Sequence, residues 1–172
     1  MKAVRYSTVE EFNTSLMNFS QVILHNIFAF DHHEAADNFI QTRATDGSRS
    51  MDELTDRWLS SDARGLMIFG GYGIGKTTYS LYLAKRFSQK YQDDPSSRIP
   101  IRIALGGFYT KQDLIGLICA TLNGEEMNCC VPNFSYHFFL EMSRSGHLIL
   151  ILDGFDEMRH AMDFEDFLYV FE

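Results

Sequence analysis

The sequence predicts an α/β fold, a three-layer α/β/α arrangement on a parallel sheet, preceded by an N-terminal helical segment. Three observations predict it. From about residue 64 onward, short apolar runs alternate with stretches of helical period, as in βαβ units. A glycine-rich loop joins the first of these runs to the first of these helices. The last run, Leu148-Ile149-Leu150-Ile151-Leu152, is apolar without interruption, as expected of a parallel strand covered on both faces.

Each element follows from its own local pattern. Thr8-Val9-Glu10-Glu11 has capping-box spacing, and Phe12, Leu16, Phe19, Ile23 and Ile27 recur at helical intervals, so the chain opens on an amphipathic helix. His32 and His33 diverge by about 100° on a helix and have no accompanying acid or cysteine cluster, which favours a solvated or capping role over metal ligation. Residues 44–50, small and polar, read as a turn before a second helix over 51–59. Residues 65–69, Gly-Leu-Met-Ile-Phe, read as the first strand. A helix follows over 76–90, with Leu81, Leu83, Ala84 and Phe87 on its apolar face, and Asp93-Asp94-Pro95-Ser96-Ser97 breaks it. Residues 99–105 read as the next strand, with Pro100 near its start, where a missing N–H costs least. Helices are expected over 111–122 and 134–144, ahead of the apolar run at 148–152. Two units result: 1–63 as helical segment and linker, and 64–172 as the α/β domain.

Composition bounds the function. A chain of 172 residues, 45% hydrophobic and 14% aromatic, can bury the core of one ordinary domain. Its formal charge of −8 argues against a broad basic face for nucleic acid or anionic membrane, so any anion site must be local. Cys119, Cys129 and Cys130 are an odd number without paired metal-ligand spacing and fit a reducing compartment. The N-terminus lacks an apolar signal region, and no apolar run approaches the ~20 residues of a membrane span. A cytoplasmic location is expected.

The chemistry sits at two strand ends. Gly70-Gly71-Tyr72-Gly73-Ile74-Gly75-Lys76-Thr77 matches G-x-x-x-x-G-K-[ST] between an expected strand and an expected helix, the context this phosphate-binding motif requires. Its glycines allow positive φ and close backbone approach, so successive N–H groups can surround a β-phosphate at the positive end of the helix. Lys76 is placed to reach the β- and γ-phosphates, Thr77 to offer a hydroxyl to Mg2+, and Thr78 to touch the α-phosphate. At the second strand end come Asp153-Gly154-Phe155-Asp156-Glu157. Asp153 there suits Mg2+ binding through water, while Asp156 and Glu157 are candidates to orient or deprotonate an attacking water. An Asp-Gly hairpin is the alternative, but Met158, Met162, Phe164, Phe167, Leu168 and Phe171 recur closer to helical spacing than to a returning strand. The expected ligands are therefore ATP and Mg2+.

Over residues 64–160 the chain resembles the NACHT branch of the STAND signalling P-loop NTPases. The likeness rests on Gly-Gly-Tyr-Gly-Ile-Gly-Lys-Thr-Thr at 70–78, Pro-Ile-Arg-Ile-Ala-Leu at 100–105, and Leu-Ile-Leu-Asp-Gly-Phe-Asp-Glu-Met at 150–158. Its loop is more similar to prokaryotic members. The resemblance implies an ATP-driven switch in defence or stress signalling, with self-association in the full-length protein and a catalytic set of Lys76, Thr77, Asp153, Asp156 and Glu157. It also implies a further strand, ending in a sensor arginine, between the loop strand and the acidic strand. Since the sequence stops at Glu172 without it, the resemblance implies a domain cut after its acidic strand, with exposed strand edges. Around Phe39 and Ile40, a core strand is favoured over an adenine contact. The rival readings are a P-loop kinase, disfavoured by Asp-Gly-Phe-Asp-Glu, a GTPase, disfavoured because no Asn-Lys-x-Asp occurs, and an ATP-binding fragment without catalysis.

Overall fold

The computed structural model describes residues 20–21, 33–44, 47, 49–105, 122 and 136–155. The opening helix, the helix over 111–122, the three cysteines, His32, Asp156, Glu157 and the apolar positions from Met158 to Phe171 lie outside these residues. Ser20, Gln21 and Leu122 are the exceptions, and all three are helical.

The described chain is a mixed α/β structure. It runs α1 (His33–Asp37), α2 (Met51–Leu59), α3 (Lys76–Asp93), β1 (Ile99–Ala104), α4 (Tyr136–Arg144) and β2 (Leu148–Asp153). The two strands are parallel and in register from Ile99 beside Leu148 to Ala104 beside Asp153. Ile99 donates its N–H to the His147 carbonyl, so N–H groups at 99, 101 and 103 face β2. Pro100, fully buried within β1, therefore turns its missing donor away from β2 and leaves the ladder intact.

Helix α2 starts where Ser50 and Glu53 satisfy each other. The Ser50 hydroxyl accepts the Glu53 N–H at 3.2 Å, and Glu53 Oε2 accepts the Ser50 N–H at 2.8 Å. This Ser-x-x-Glu spacing is a readable start signal for the helix. Helix α3 buries Tyr79, Leu83, Ala84 and Phe87 on one face, the i, i+4, i+8 stripe of an amphipathic helix. Tyr79, Leu83 and Phe87 pack with Ile149 of β2, and Phe39, Met51, Trp58, Leu59, Ile68, Tyr82 and Ile151 close around them. Residues before position 64 thus share the core of α3.

Two expectations are corrected. Residues 65–69 form no strand: Leu66 and Met67 are exposed, Phe69 is 81% exposed, and Ile68 alone of them packs against the core. A strand needs a ladder partner, and among the described residues β1 and β2 pair only with each other. Nor do Phe39 and Ile40 form a core strand. Phe39 stacks on Tyr82 with ring centroids 4.4 Å apart, whereas Ile40 is 83% exposed. The antiparallel bridge between Arg43 and Ser50 is the local order there.

Candidate functional site

The loop at 70–75 leads into α3 through backbone that only glycine takes without strain. Gly73 has φ 78° and Gly75, the residue capping α3, has φ 94°. Gly70 differs from these two. A Cβ there would press on the tip of the Ile74 side chain, which is exposed and would have to swing aside. No side chain caps the N-terminus of α3, and its first turn holds no acidic residue. The positive end of the helix dipole and its first N–H groups therefore face an anion position that no capping side chain occupies. Tyr72, at the loop tip, is fully exposed, and Ile74 is also exposed.

Lys76 curls back over the loop. Its Nζ donates to the carbonyls of Gly70 at 2.8 Å and Gly71 at 3.1 Å. This holds an ammonium group against the loop backbone, where a phosphate oxygen can replace the carbonyls as acceptor. Thr77 and Thr78 follow in the first turn of α3.

At the end of β2, Asp153 is 8% exposed. The Thr77 hydroxyl donates to its Oδ1 at 3.3 Å, joining residues 76 positions apart. Arg102 of β1 donates from Nη2 to Oδ2 at 2.6 Å and from Nε to the Ser80 hydroxyl at 2.8 Å. Ser80 in turn donates to the Thr77 carbonyl at 2.9 Å. The loop residue Thr77 and the acidic residue Asp153 therefore come together as the motif spacing implies, whereas Arg102 and Ser80 lie in neither motif. The signal for Arg102 was a lone charge inside Ile-Pro-Ile-Arg-Ile-Ala, which has to find a partner when buried.

A second polar cluster seats α3. Asp52 of α2 accepts from the Tyr82 phenol at 2.7 Å, the Tyr79 phenol at 3.3 Å and Gln41 at 3.2 Å. The Tyr79 and Thr55 hydroxyls lie 2.7 Å apart within the core. Burial pushes the Tyr79 phenol well above its ordinary range, and burial beside Asp52 also raises Tyr82. Arg86 bonds both oxygens of Asp56, at 2.6 and 2.7 Å. Burial works against the Arg86 charge, but Asp56 and Asp52 outweigh it and raise its pKa. Lys85 pairs with Asp37, tying α1 to the same helix. These contacts fix the axis of α3 and with it the anion position at its first turn.

The donor set suits a hard divalent cation. A hydroxyl and a carboxylate stand side by side at Thr77 and Asp153, the oxygen ligands Mg2+ prefers, next to a loop that is open at Gly73 and Gly75, where a Cβ would meet nothing within 4 Å. No group of three or more His, Cys, Asp or Glu is arranged for a metal among the described residues. No helix among them is long and apolar enough to cross a membrane.

Comparison with known proteins gives a weak likeness. An uncharacterized WD repeat-containing protein from Nostoc sp. is 30% identical over 122 residues, which cover 66% of this chain and 8% of that protein. No family model matches the chain. No solved structure matches it either.

Proposed function

We propose that this chain is the nucleotide-binding part of a NACHT/STAND-type signalling NTPase with a P-loop fold, binding Mg-ATP and using it to switch conformation. The observation that carries this reading is the contact between Thr77 and Asp153, which joins the glycine-rich loop to the acidic strand end at 3.3 Å. Chance glycine-rich turns have no reason to deliver a threonine hydroxyl to a nearly buried carboxylate from a distant strand.

In this reading the backbone N–H groups of residues 71–76 and the first turn of α3 hold the phosphates. Lys76 leaves its carbonyl acceptors for the β- and γ-phosphates, and Thr78 contacts the α-phosphate. Thr77 and Asp153 would hold Mg2+, Asp153 through water. An ion held there would supply neutralisation of the charge that develops on the γ-phosphoryl group. Asp156 and Glu157, just beyond the described acidic strand, are the candidates to orient or deprotonate the attacking water, and either is within the motif that resembles the family. Energy from binding and slow hydrolysis then biases a two-state domain, with self-association in the full-length protein.

The Asp-Gly-Phe-Asp-Glu run at 153–157 favours this class over a P-loop kinase, in which the acidic strand lies directly beside the loop strand. Here β2 pairs with β1, and residues 65–69 lie outside the ladder among the described residues. A repeat-rich sensor joined to the switch in the full-length protein would accord with the likeness to a WD repeat-containing protein, 8% of whose length this chain spans. Binding without hydrolysis is the second reading, favoured by the exposed lead-in to the phosphate loop, which pairs with no strand among the described residues.

Titration of ATP with and without Mg2+ tests the central contact. Thr77→Ala and Asp153→Asn should each abolish the gain in affinity that Mg2+ brings while leaving metal-free binding in place. A full Mg2+ gain in both variants would sink the reading. ATP hydrolysis by the wild type, lost in Glu157→Gln or Asp156→Asn, separates the switch from the binding-only alternative.

A further inference from the structure

Thr77, Ser80, Arg102 and Asp153 close a hydrogen-bonded circuit. It runs from the Thr77 hydroxyl to Asp153 Oδ1, from Asp153 Oδ2 to Arg102 Nη2, from Arg102 Nε to the Ser80 hydroxyl, and from Ser80 to the Thr77 carbonyl. Neither Ser80 nor Arg102 has a part in the loop or the acidic motif. Arg102 is a costly residue at its position, because Ile101 and Ile103 beside it are 1% exposed and its own side chain is 19% exposed. What the guanidinium supplies is geometric. Its rigid fork holds two acceptors, one on α3 and one on β2, in a fixed relative geometry that a lysine ammonium on a flexible stem does not impose.

Two consequences follow for a cation at Thr77 and Asp153. With Oδ2 pinned by Arg102, the Asp153 carboxylate is oriented so that Oδ1 faces Thr77. With one positive charge set against one negative charge, the cluster is formally neutral at the point where a divalent ion would sit. We propose that Arg102 is a positioning residue of this metal site, which orients Asp153 and cancels its charge so that the site takes up a divalent cation only together with a triphosphate. The inference rests on the Mg-triphosphate reading above. It makes the nucleotide, with its own negative charge, the source of the attraction that recruits the ion, and it keeps the empty protein from filling with metal.

The full chain can be tested with Mn2+, by the loss of the free-ion electron paramagnetic resonance signal, in the absence of nucleotide. Arg102→Gln should bind one Mn2+ at least about tenfold more tightly than wild type, because a neighbouring like charge has been removed. Adding Asp153→Asn to that variant should remove the gain. Arg102→Lys keeps the charge and should match wild type in this assay. The lysine lacks the fixed fork that sets Ser80 and Asp153 in one geometry, however, so the Mg2+ concentration for half-maximal binding of a fluorescent ATP analogue should rise about threefold or more. That second measurement decides the matter if Arg102→Gln proves unfolded by circular dichroism. A folded Arg102→Gln that takes up no more Mn2+ than wild type overturns the proposal, as does an Arg102→Lys protein with unchanged Mg2+ dependence. Failure of the wild type to bind the analogue in EDTA and in Mg2+ alike overturns the phosphate-loop reading instead, and the Mn2+ comparison still judges Arg102.

Discussion

Two strand-like segments lead into the candidate site, and they have opposite fates. The acidic run at 148–153 becomes β2, paired along its length with β1 and ending on a carboxylate with two side-chain partners. The run at 65–69, also apolar and also close to the chemistry, pairs with no strand among the described residues, and Phe69 is 81% exposed. It opens on glycine and has one β-branched residue against two in 148–152, but among the described residues the larger difference is the ladder partner. Apolar sequence sets a segment's preference for a sheet, but only hydrogen bonding to a neighbour satisfies its backbone.

This contrast can be tested most strongly by truncation. Ile101→Ala, in β1 at 1% exposure, should cost about 2–5 kcal/mol in urea denaturation, whereas Phe69→Ala should stay within about 0.5 kcal/mol. A large cost at Phe69 would show that residues 65–69 are packed after all. Asp153→Asn is the next largest effect. It leaves the Arg102 guanidinium facing a neutral amide in a mostly buried setting, and about 2–4 kcal/mol should be lost after allowing for the partial exposure of Arg102. Amide exchange sharpens the same comparison, since N–H groups at 101 and 103 should be protected and those at 66, 67 and 69 should exchange near the unfolded rate.

Much of this arrangement was legible in the sequence, and the misses have a common cause. Helices α2, α3 and α4 follow from local periodicity, and Thr77 and Asp153 follow from motifs whose chemistry is itself local. Residues 65–69 failed because a strand is a pairwise object, and its partner cannot be read from the segment's own composition. Phe39 was misjudged similarly: its place against Tyr79 and Tyr82 depends on α2 and α3 having already docked. Arg102 and Ser80 escaped notice because their partners are 51 and 22 residues from Arg102 in sequence, beyond any helical or strand period. The charge embedded in an apolar strand was visible; where it would point was not.

Smaller effects probe how α3 is held. The Tyr79 phenol has its pKa raised by burial above the ordinary value of 10.0. Stability from its neutral form is therefore fully present below pH 10 and is lost as pH rises toward the folded-state value, because the unfolded chain ionises first. Tyr79→Phe should flatten the fall in stability above pH 10, and an unchanged slope would show that Tyr79 is not the group responsible. Ser50→Ala, which breaks the capping box of α2, should cost about 1 kcal/mol and leave nucleotide binding as it was.

The most direct measurement is calorimetric titration of the full chain with ATP in the presence of Mg2+, beside Lys76→Ala. Lys76 already holds its ammonium group over the loop carbonyls, within reach of an incoming phosphate. Removing one charged hydrogen bond should weaken binding by about one to two decades, with the wild type binding one nucleotide per chain. Equal affinity in the two proteins would contradict the assignment of residues 70–77 as a phosphate-binding loop, and with it the site built on that loop.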